Sequence, residues 1–284
     1  MNLKTLLETP PWDWPEDAGD LLLTTLLDKQ AKGSDRLIAA ELAGDSPIMN
    51  DKLADALMAI VGNRDEPEEL RAKAALSLGP ALEEVDLEGF DESEDLPITE
   101  ETFHDIQDLL HKLFLDERNS QELRRRILEA AVRSPQDWQT DAIRAAYSSG
   151  DKDWMQTAVF AMGRVRGFDE QILESLKSAD PEIHYEAVNA AGTWELDAAW
   201  PHVVALVKDP STPKDLRLAA IEAVGYIRPH EAAEILADLA DSRDEEISEA
   251  ATEAIAMAKT MSGEEDDEDD EDDEEGEDDG KWLN

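Results

Sequence analysis

The chain has 284 residues, of which 41% are hydrophobic and 34% are charged, and its formal net charge is -44. Without the 15 acids of Glu264–Asp279 the net charge is still -29, so the rest of the chain is acidic as well. Such a charge repels phosphate backbones and anionic membrane surfaces, which excludes sequence-independent binding to nucleic acid and disfavours membrane binding. Cysteine is absent, and with it disulfides, cysteine zinc sites and thiol chemistry.

Residues 1–30 are expected to form an N-terminal capping segment and the first helix. The acids that precede any sustained apolar stretch do not resemble a secretory signal, and no apolar run approaches the roughly 20 residues that span a bilayer. We therefore expect a cytoplasmic protein. The stretch Thr9–Pro15 holds three prolines in seven residues, which is incompatible with a helix. Trp12 and Trp14 are expected to cover the open end of the first helix pair.

One pattern recurs from residue 31 to residue 261. It consists of a capping residue, then Leu or Ile often followed by Arg, then two small or apolar residues, and finally an apolar residue followed by Gly. Five of the six intervals between equivalent glycine positions lie between 29 and 35 residues, and the sixth, of 53, contains an insertion. A fixed period of this length indicates a repeat architecture. The equivalent positions are Gly44, Gly79, Val132, Gly163, Gly192, Gly225 and Ala256.

Each period is expected to contain two helices. Ile183, Ala187, Val188 and Ala191 have the spacing of one apolar helical face, and no sustained strand alternation occurs. Two helix starts resemble capping boxes, in which an N-cap side chain is followed three positions later by Glu. The recurrent glycines are expected to close helices or to let neighbouring backbones approach. The two capping boxes are Asp65 with Glu68 and Asn119 with Glu122.

The recurring helix, Asp(-Pro)…Leu-Arg-x-x-Ala-Ala-x-x-Leu-Gly, resembles HEAT-like repeats, in particular the short bacterial form found in phycobilisome-lyase proteins. The resemblance covers Ser34–Ala258 and implies an all-α, right-handed α-solenoid of about seven helical hairpins. It further implies that Arg36, Arg71 and Arg217 pair with an Asp of the preceding helix turn across neighbouring repeats. The third, fourth and seventh copies depart from the motif, at Val132, Met155, Ser248 and Ala256.

Two acidic segments fall outside the period. Residues 80–99 are predicted to form a flexible loop inserted in the solenoid of residues 31–261. Residues 262–284 are predicted to be a disordered tail, because like charges dominate and Gly263–Gly280 holds no apolar residue. The tail could favour solubility, attract a basic partner, or shield the chain's own basic cluster Arg124–Arg126. Trp282, near its end, is a candidate anchor of a short docking peptide.

Motifs for catalysis are missing from the sequence. No phosphate-binding glycine loop, Gly-x-Ser-x-Gly or His-Glu-x-x-His occurs, and the five histidines are scattered. No nucleophile, base and orienting group can be assembled from the residues present. We therefore expect no enzymatic activity, no cofactor and no metal site.

The inner helices of the repeats are expected to carry a binding surface with aromatic and polar side chains. The predicted function is a non-catalytic protein–protein interaction scaffold or adaptor for a basic partner protein, without direct contact to nucleic acid or membrane. The alternatives are an acidic chaperone or nucleic-acid mimic that shields a basic protein, and an accessory protein of a bilin-lyase-like system. The oligomeric state stays open. The predicted partner-binding residues are Phe160, Arg164, Tyr185, Asn189, Glu222, Tyr226 and Trp282.

Overall fold

The computed structural model describes residues 2–45, 48–90 and 96–263. Within these ranges the chain is helical and contains no strand, which confirms the all-α prediction. The chain divides into two compact units between Ala190 and Ala191, inside one helix. Most of the predicted tail of residues 262–284, from residue 264 on, and the middle of the insertion, residues 91–95, lie outside the described residues. The predicted start of the tail is wrong for Ser262, which is the last residue of the final helix.

The first unit contains two short N-terminal elements and then a series of longer helices. A 3-10 turn, Pro11–Asp13, separates the first two helices. The helices are α1 (Leu3–Leu7), α2 (Ala18–Leu27), α3 (Gly33–Leu42), α4 (Asp51–Gly62), α5 (Glu68–Ser77), α6 (Gly79–Glu88), α7 (Glu100–Leu115), α8 (Gln121–Ala131), α9 (Asp137–Tyr147), α10 (Lys152–Met162), α11 (Asp169–Ser175) and most of α12 (Pro181–Thr193).

The second unit begins within the last turn of α12. A 3-10 turn, Asp197–Ala199, leads into the next helix. The helices that follow are α13 (Trp200–Lys208), α14 (Lys214–Ile227), α15 (Pro229–Ala240) and α16 (Glu245–Ser262).

The helices pair as successive hairpins. In the first unit α2 packs on α3, α4 on α5, α7 on α8, and α9 on α10, while the second helices of neighbouring hairpins pack on each other. In the second unit α13 packs on α14, α15 packs on α16, and α14 packs on α16. This arrangement confirms the predicted helical-hairpin repeats, and we call the second helix of each hairpin its inner helix. The right-handed sense of the solenoid stays a prediction.

Small residues bring neighbouring inner helices close together. A Cβ atom added at Gly44, after α3, would lie 3.0 Å from the Cα and Cβ of Ser77 in α5. In the second unit, a Cβ added at Gly192 would lie 3.0 Å from the Cβ of Ala223 in α14. Real Cβ atoms rarely come this close to such neighbours. The recurrent glycines therefore permit close approach, as predicted, and glycine with a positive φ occurs at other positions.

Four arginines of the inner helices bind the ends of the preceding outer helices. Each donates its Nε–H to a carbonyl ten residues upstream, in the last turn of the outer helix, where carbonyls lack an intrahelical donor. This partner differs from the aspartate that the resemblance implied, because the guanidinium lies level with the free carbonyls of the helix end. The pairs are Arg36–Leu26 (3.1 Å), Arg71–Val61 (2.9 Å), Arg124–Phe114 (2.8 Å) and Arg217–Val207 (2.9 Å).

Two of these arginines also reach the loop of the next hairpin. Arg36 donates to Glu66 at 2.6 Å, and Arg71 donates to the side chain of Asn119 at 3.0 Å. Both arginines are buried. Each guanidinium therefore joins a helix end of its own hairpin to the following hairpin.

The predicted capping boxes are wrong. Asn119 is buried and donates to the Leu113 carbonyl at 2.8 Å, and Ser120 is the N-cap of α8, accepting a hydrogen bond from the amide of Leu123 at 3.1 Å. Pro67, not Asp65, precedes α5. A tertiary contact with Arg71 takes the amide that local sequence assigned to capping.

The predicted loop of residues 80–99 is wrong for its first half, which forms α6. Ala81, Leu82 and Val85 are buried, and α6 packs against α8. These three residues lie on one helical face, so their burial stabilises the helix despite the acids on its other face. The acid content concealed this short apolar pattern.

The N-terminal segment departs from prediction at one tryptophan. Trp14 is half-buried, and its indole N–H donates to the carbonyls of Leu6 at 3.1 Å and Thr9 at 2.8 Å. Trp12 is 78% exposed and covers no helix end. The 3-10 turn holds the two rings in different surroundings, and the expectation that both cover the first hairpin is wrong for Trp12.

Candidate interaction surface

A group of charged side chains with one aromatic ring lies across α6 and three inner helices of the first unit. We call it the Arg164 cluster, and its members come from α6, α8, α10, α12 and the residues that follow α8 and α10. The three consecutive hairpins that contain α8, α10 and α12 each contribute one or two side chains, and α6 contributes one. The members are Glu83, Glu129, Arg133, Phe160, Arg164 and Glu186.

Glu83 links the two arginines of the cluster. Its carboxylate accepts a hydrogen bond from Arg133 and lies 3.5 Å from the Nη2 atom of Arg164. The Arg164 guanidinium also lies over the Phe160 ring, 4.3 Å from the ring centre, in a cation–π contact. Its Nε–H is buried and meets no acceptor among the described residues. The arginine is thus held mainly by charge and by the ring.

Gly79 makes room for Arg133 in this cluster. A Cβ atom at position 79 would lie 2.6 Å from the Cδ of Arg133 and 3.4 Å from the Cα of Ala130. The absence of a side chain at the start of α6 therefore lets the arginine stem pass and reach Glu83.

The cluster shifts the protonation of its members. Burial raises the pKa of Glu186 to about 7, Glu129 and Glu182 act in the same direction, and Arg164 opposes them. Burial, followed by repulsion from Arg133, lowers the pKa of Arg164. The Glu186 carboxyl consequently changes its charge near neutral pH, when a partner with a positive group would favour the ionised form.

Glu129 connects the Arg164 cluster to a buried polar network between α8 and α10. It accepts hydrogen bonds from Thr157 at 2.6 Å and from Arg126 at 2.7 Å. Arg125 is buried, and it donates hydrogen bonds to Thr157 at 3.0 Å and to Glu122 at 2.9 Å. These hydrogen bonds hold Glu129, one of the acids of the Arg164 cluster, in a fixed position.

The same contacts bear on the interpretation that the acidic tail shields the basic cluster Arg124–Arg126. Arg124 bonds the Phe114 carbonyl, Arg125 is buried, and Arg126 bonds Glu122 and Glu129. The sequence Arg124–Arg126 is therefore not an open basic patch, and it offers the acidic tail little to shield.

The Arg164 cluster can bind but shows no means of covalent catalysis. Carboxylates, guanidinium groups and one aromatic ring offer ionic, hydrogen-bond and stacking contacts. Across residues 2–45, 48–90 and 96–263, no three histidine, aspartate or glutamate side chains are grouped so that they could hold a metal ion.

The structure brings together only part of the predicted partner-binding set. Phe160 and Arg164 are in contact, Tyr185 is exposed, and Asn189 is half-buried on α12. In the second unit Glu222 is exposed and Tyr226 is half-buried, both on α14. Trp282 lies outside the described residues. A role in partner binding stays a prediction for all seven.

Sequence reasoning missed four members of the cluster. Arg133 follows Val132 as Arg164 follows Gly163, so the same repeat column contains both arginines and could have indicated the first. The sequence predicts a loop at Glu83, and nothing in the repeat pattern distinguishes Glu129 and Glu186 from the many other acids.

A second feature of the first unit is a pocket of about 230 Å³ beside α9. Arg124 lies over the rings of Phe114 and Trp154, at 5.1 and 5.9 Å from the ring centres. Trp154 is buried, and one side of it forms the pocket wall. The other lining residues are Gln121, Ala142, Ala145, Ala146 and Ser149.

Comparison with known families matches residues 168–256 to HEAT repeats. Residues 168–256 therefore contain HEAT-like repeats. The matched range begins just before α11 and ends within α16, and the hairpins of the first unit repeat the same order of helices. The predicted resemblance to HEAT-like repeats is confirmed. No curated protein matches it.

Several solved structures are similar to the HEAT-like chain. Human deoxyhypusine hydroxylase in complex with glycerol is 16% identical, with 91% of this chain and 88% of that chain covered and a TM-score of 0.40. The YibA protein of E. coli is 14% identical, with 94% and 91% covered and a TM-score of 0.48. The complex of CpcE and CpcF of phycocyanin lyase from Nostoc sp. PCC7120 is 16% identical, with 89% and 98% covered and a TM-score of 0.43. At these values the similarities do not extend to function.

No helix within the described residues is both long enough and apolar enough to cross a bilayer.

Proposed function

We propose that this HEAT-like chain is a cytoplasmic, non-catalytic scaffold that binds a basic protein through the inner-helix face of its repeats. The observation that carries the proposal is the Arg164 cluster, in which consecutive hairpins place half-buried acids, arginines and an aromatic ring on one surface. Surfaces that mix aromatic and charged groups in this way are typical of protein recognition.

The distribution of charge supports a basic partner. Three arginines, at positions 36, 71 and 125, are buried and engaged within the fold. The 70 acids of the chain outnumber its 26 bases, and many of them are exposed. An acidic surface of this kind attracts basic proteins over several ångströms and accelerates their association at low salt.

Glu186 links binding to charge at the proposed surface. Its raised pKa, near 7, means that it is partly protonated at neutral pH. A positive group bound beside it favours the ionised form, so binding of a basic partner should release a proton. An acidic partner would have the opposite effect on this carboxyl.

The proposal is tested by crosslinking the full-length chain to its partners in native lysate at low and moderate ionic strength. We expect the captured proteins to be basic and their recovery to fall as salt rises. The double variant Phe160→Ala/Tyr185→Ala should recover less of them, whereas Asp141→Asn, at an exposed position of α9, should recover the same amount. Acidic partners, or recovery that does not depend on salt, would contradict the proposal.

A further inference from the structure

Trp12 is held in an exposed position by the elements around it. Pro10, Pro11 and Pro15 restrict the backbone on both sides of the 3-10 turn, since proline fixes φ. Trp14 packs inward and binds two carbonyls with its indole N–H. The Trp12 ring, 78% exposed, is thereby kept at the surface on a rigid turn. An exposed tryptophan of this kind is unusual on a surface that has no partner.

The ring borders a groove of about 660 Å³ between the 3-10 turn and the start of α4. Three acids and one base line this groove, so its net charge is negative. The apolar walls come from the turn, α2 and α4. The charged lining residues are Glu16, Asp20, Asp51 and Lys52, and the apolar ones include Trp12, Trp14, Leu23, Met49 and Leu53.

Asp51 is fixed in its ionised form. Its carboxylate accepts hydrogen bonds from the amide of Thr99 at 2.8 Å and from the Thr99 hydroxyl at 3.2 Å. These bonds outweigh burial and hold the pKa of Asp51 below its usual value. The acid is thus anchored by the N-cap residue of α7 and stays charged at neutral pH.

We propose that the Trp12 groove binds a short basic segment of a partner protein, with a Lys or Arg side chain lying against the Trp12 ring and facing the acids of the groove. The occupant follows from charge complementarity, because a cation gains from both the ring face and the carboxylates. The chain's own acidic residues 264–279 have the wrong charge for this groove. The inference rests on the proposed function, since it assigns a second binding site to the same class of partner.

The test uses full-length protein and a short blocked peptide in which Lys alternates with Gly and Leu, titrated at low salt and followed by calorimetry. Trp12→Ala should weaken binding about fivefold, as expected for the loss of a cation–π contact. Glu16→Gln/Asp20→Asn should weaken it as well. The matched controls are Leu87→Ala, which removes an exposed apolar side chain elsewhere, and Asp141→Asn, which removes an exposed acid, and both should bind like wild type.

The outcomes separate the site from the function. If the basic peptide binds Trp12→Ala and Leu87→Ala equally well, the groove is not the site, although the preference for basic partners stands. If neither the wild type nor any variant binds the basic peptide, the preference for basic partners in the proposed function fails as well. A matched peptide with Glu in place of Lys should not bind, and equal binding of both peptides would overturn the inference. A change in sedimentation of Trp12→Ala without peptide would indicate a second copy as the occupant and would also overturn it.

Discussion

At the scale of single residues, the repeat depends on positions where a side chain is absent. Gly44 lies against the backbone of α5, with only 3.0 Å between a hypothetical Cβ and the Cα of Ser77. Backbone atoms cannot rotate away as the end of a side chain can. The distance between neighbouring inner helices is therefore set by the smallest residue in the contact.

We expect Gly44→Ala to lower the free energy of unfolding by about 1–3 kcal/mol, because the added methyl group must separate two packed helices. Thermal and urea unfolding of the purified variant measure the effect. Gly33→Ala is the matched control, since nothing lies within 4 Å of its Cβ position and Ala favours the helix. Equal stability of the two variants would contradict the close-contact argument.

A second prediction at this scale concerns the pH dependence of stability. The pKa of Glu186 in the folded state, about 7, lies above its ordinary value of 4.5, so between these values the folded chain holds a proton that the unfolded chain has lost. This contribution to stability is complete below about 4.5, falls as the pH rises, and is lost above about 7.

Glu186→Gln should therefore remove part of the decline in stability between mildly acidic and mildly alkaline pH. Urea unfolding at several pH values measures the difference between wild type and variant, in which the titration of all other acids cancels. Asp141→Asn serves as the control because that carboxylate is exposed and distant in sequence. Parallel curves for wild type and Glu186→Gln would show that the half-buried carboxyl does not titrate as described.

At the scale of helices, the sequence predicted the hairpins but not all of their contacts. The period is visible because each hairpin repeats the same local pattern, such as the apolar face of Ile183, Ala187 and Val188 in α12. The Arg164 cluster joins residues about fifty positions apart, as between Glu83 and Arg133, and no local pattern records such proximity. The sequence does not indicate helix α6, because its acids outnumber the apolar residues whose burial stabilises it.

Helix α6 offers a direct test at this scale. Leu82→Ala should lower the free energy of unfolding by about 2–5 kcal/mol, because its fully buried side chain leaves a cavity beside α8. Leu87→Ala, in the same helix but 80% exposed, should change stability by less than about 0.5 kcal/mol. Chemical unfolding of both variants measures the difference. If neither variant is destabilised, residues 79–88 behave as the loop that the sequence first indicated.

At the scale of the whole molecule, charge opposes folding. Because the formal net charge is -44, folding brings many negative charges close together, and their repulsion costs free energy. Ion pairs such as Arg36–Glu66 offset part of this cost. Salt screens exposed charges over about 10 Å at 0.1 M, whereas buried pairs are screened much less.

We expect the melting temperature to rise as sodium chloride increases from about 0.02 to about 0.3 M, because screening relieves repulsion among the exposed acids more than it weakens the buried pairs. Differential scanning calorimetry measures the shift. The variant Asp20→Lys/Asp141→Lys makes the net charge less negative by four, so its melting temperature should rise less with salt. A melting temperature that falls with salt would show that attractive pairs dominate.

The arginine links have a consequence for engineering. Because each of the four guanidinium groups holds a carbonyl ten residues before it, the turn between the two helices of a hairpin cannot be replaced independently of the arginine that spans it. A cassette for transplanting one hairpin must carry both ends of this span. Arg36 and Arg71 also need the acceptor that the following hairpin supplies, Glu66 for Arg36 and Asn119 for Arg71. A hairpin can therefore be exchanged only if the hairpin after it provides such an acceptor.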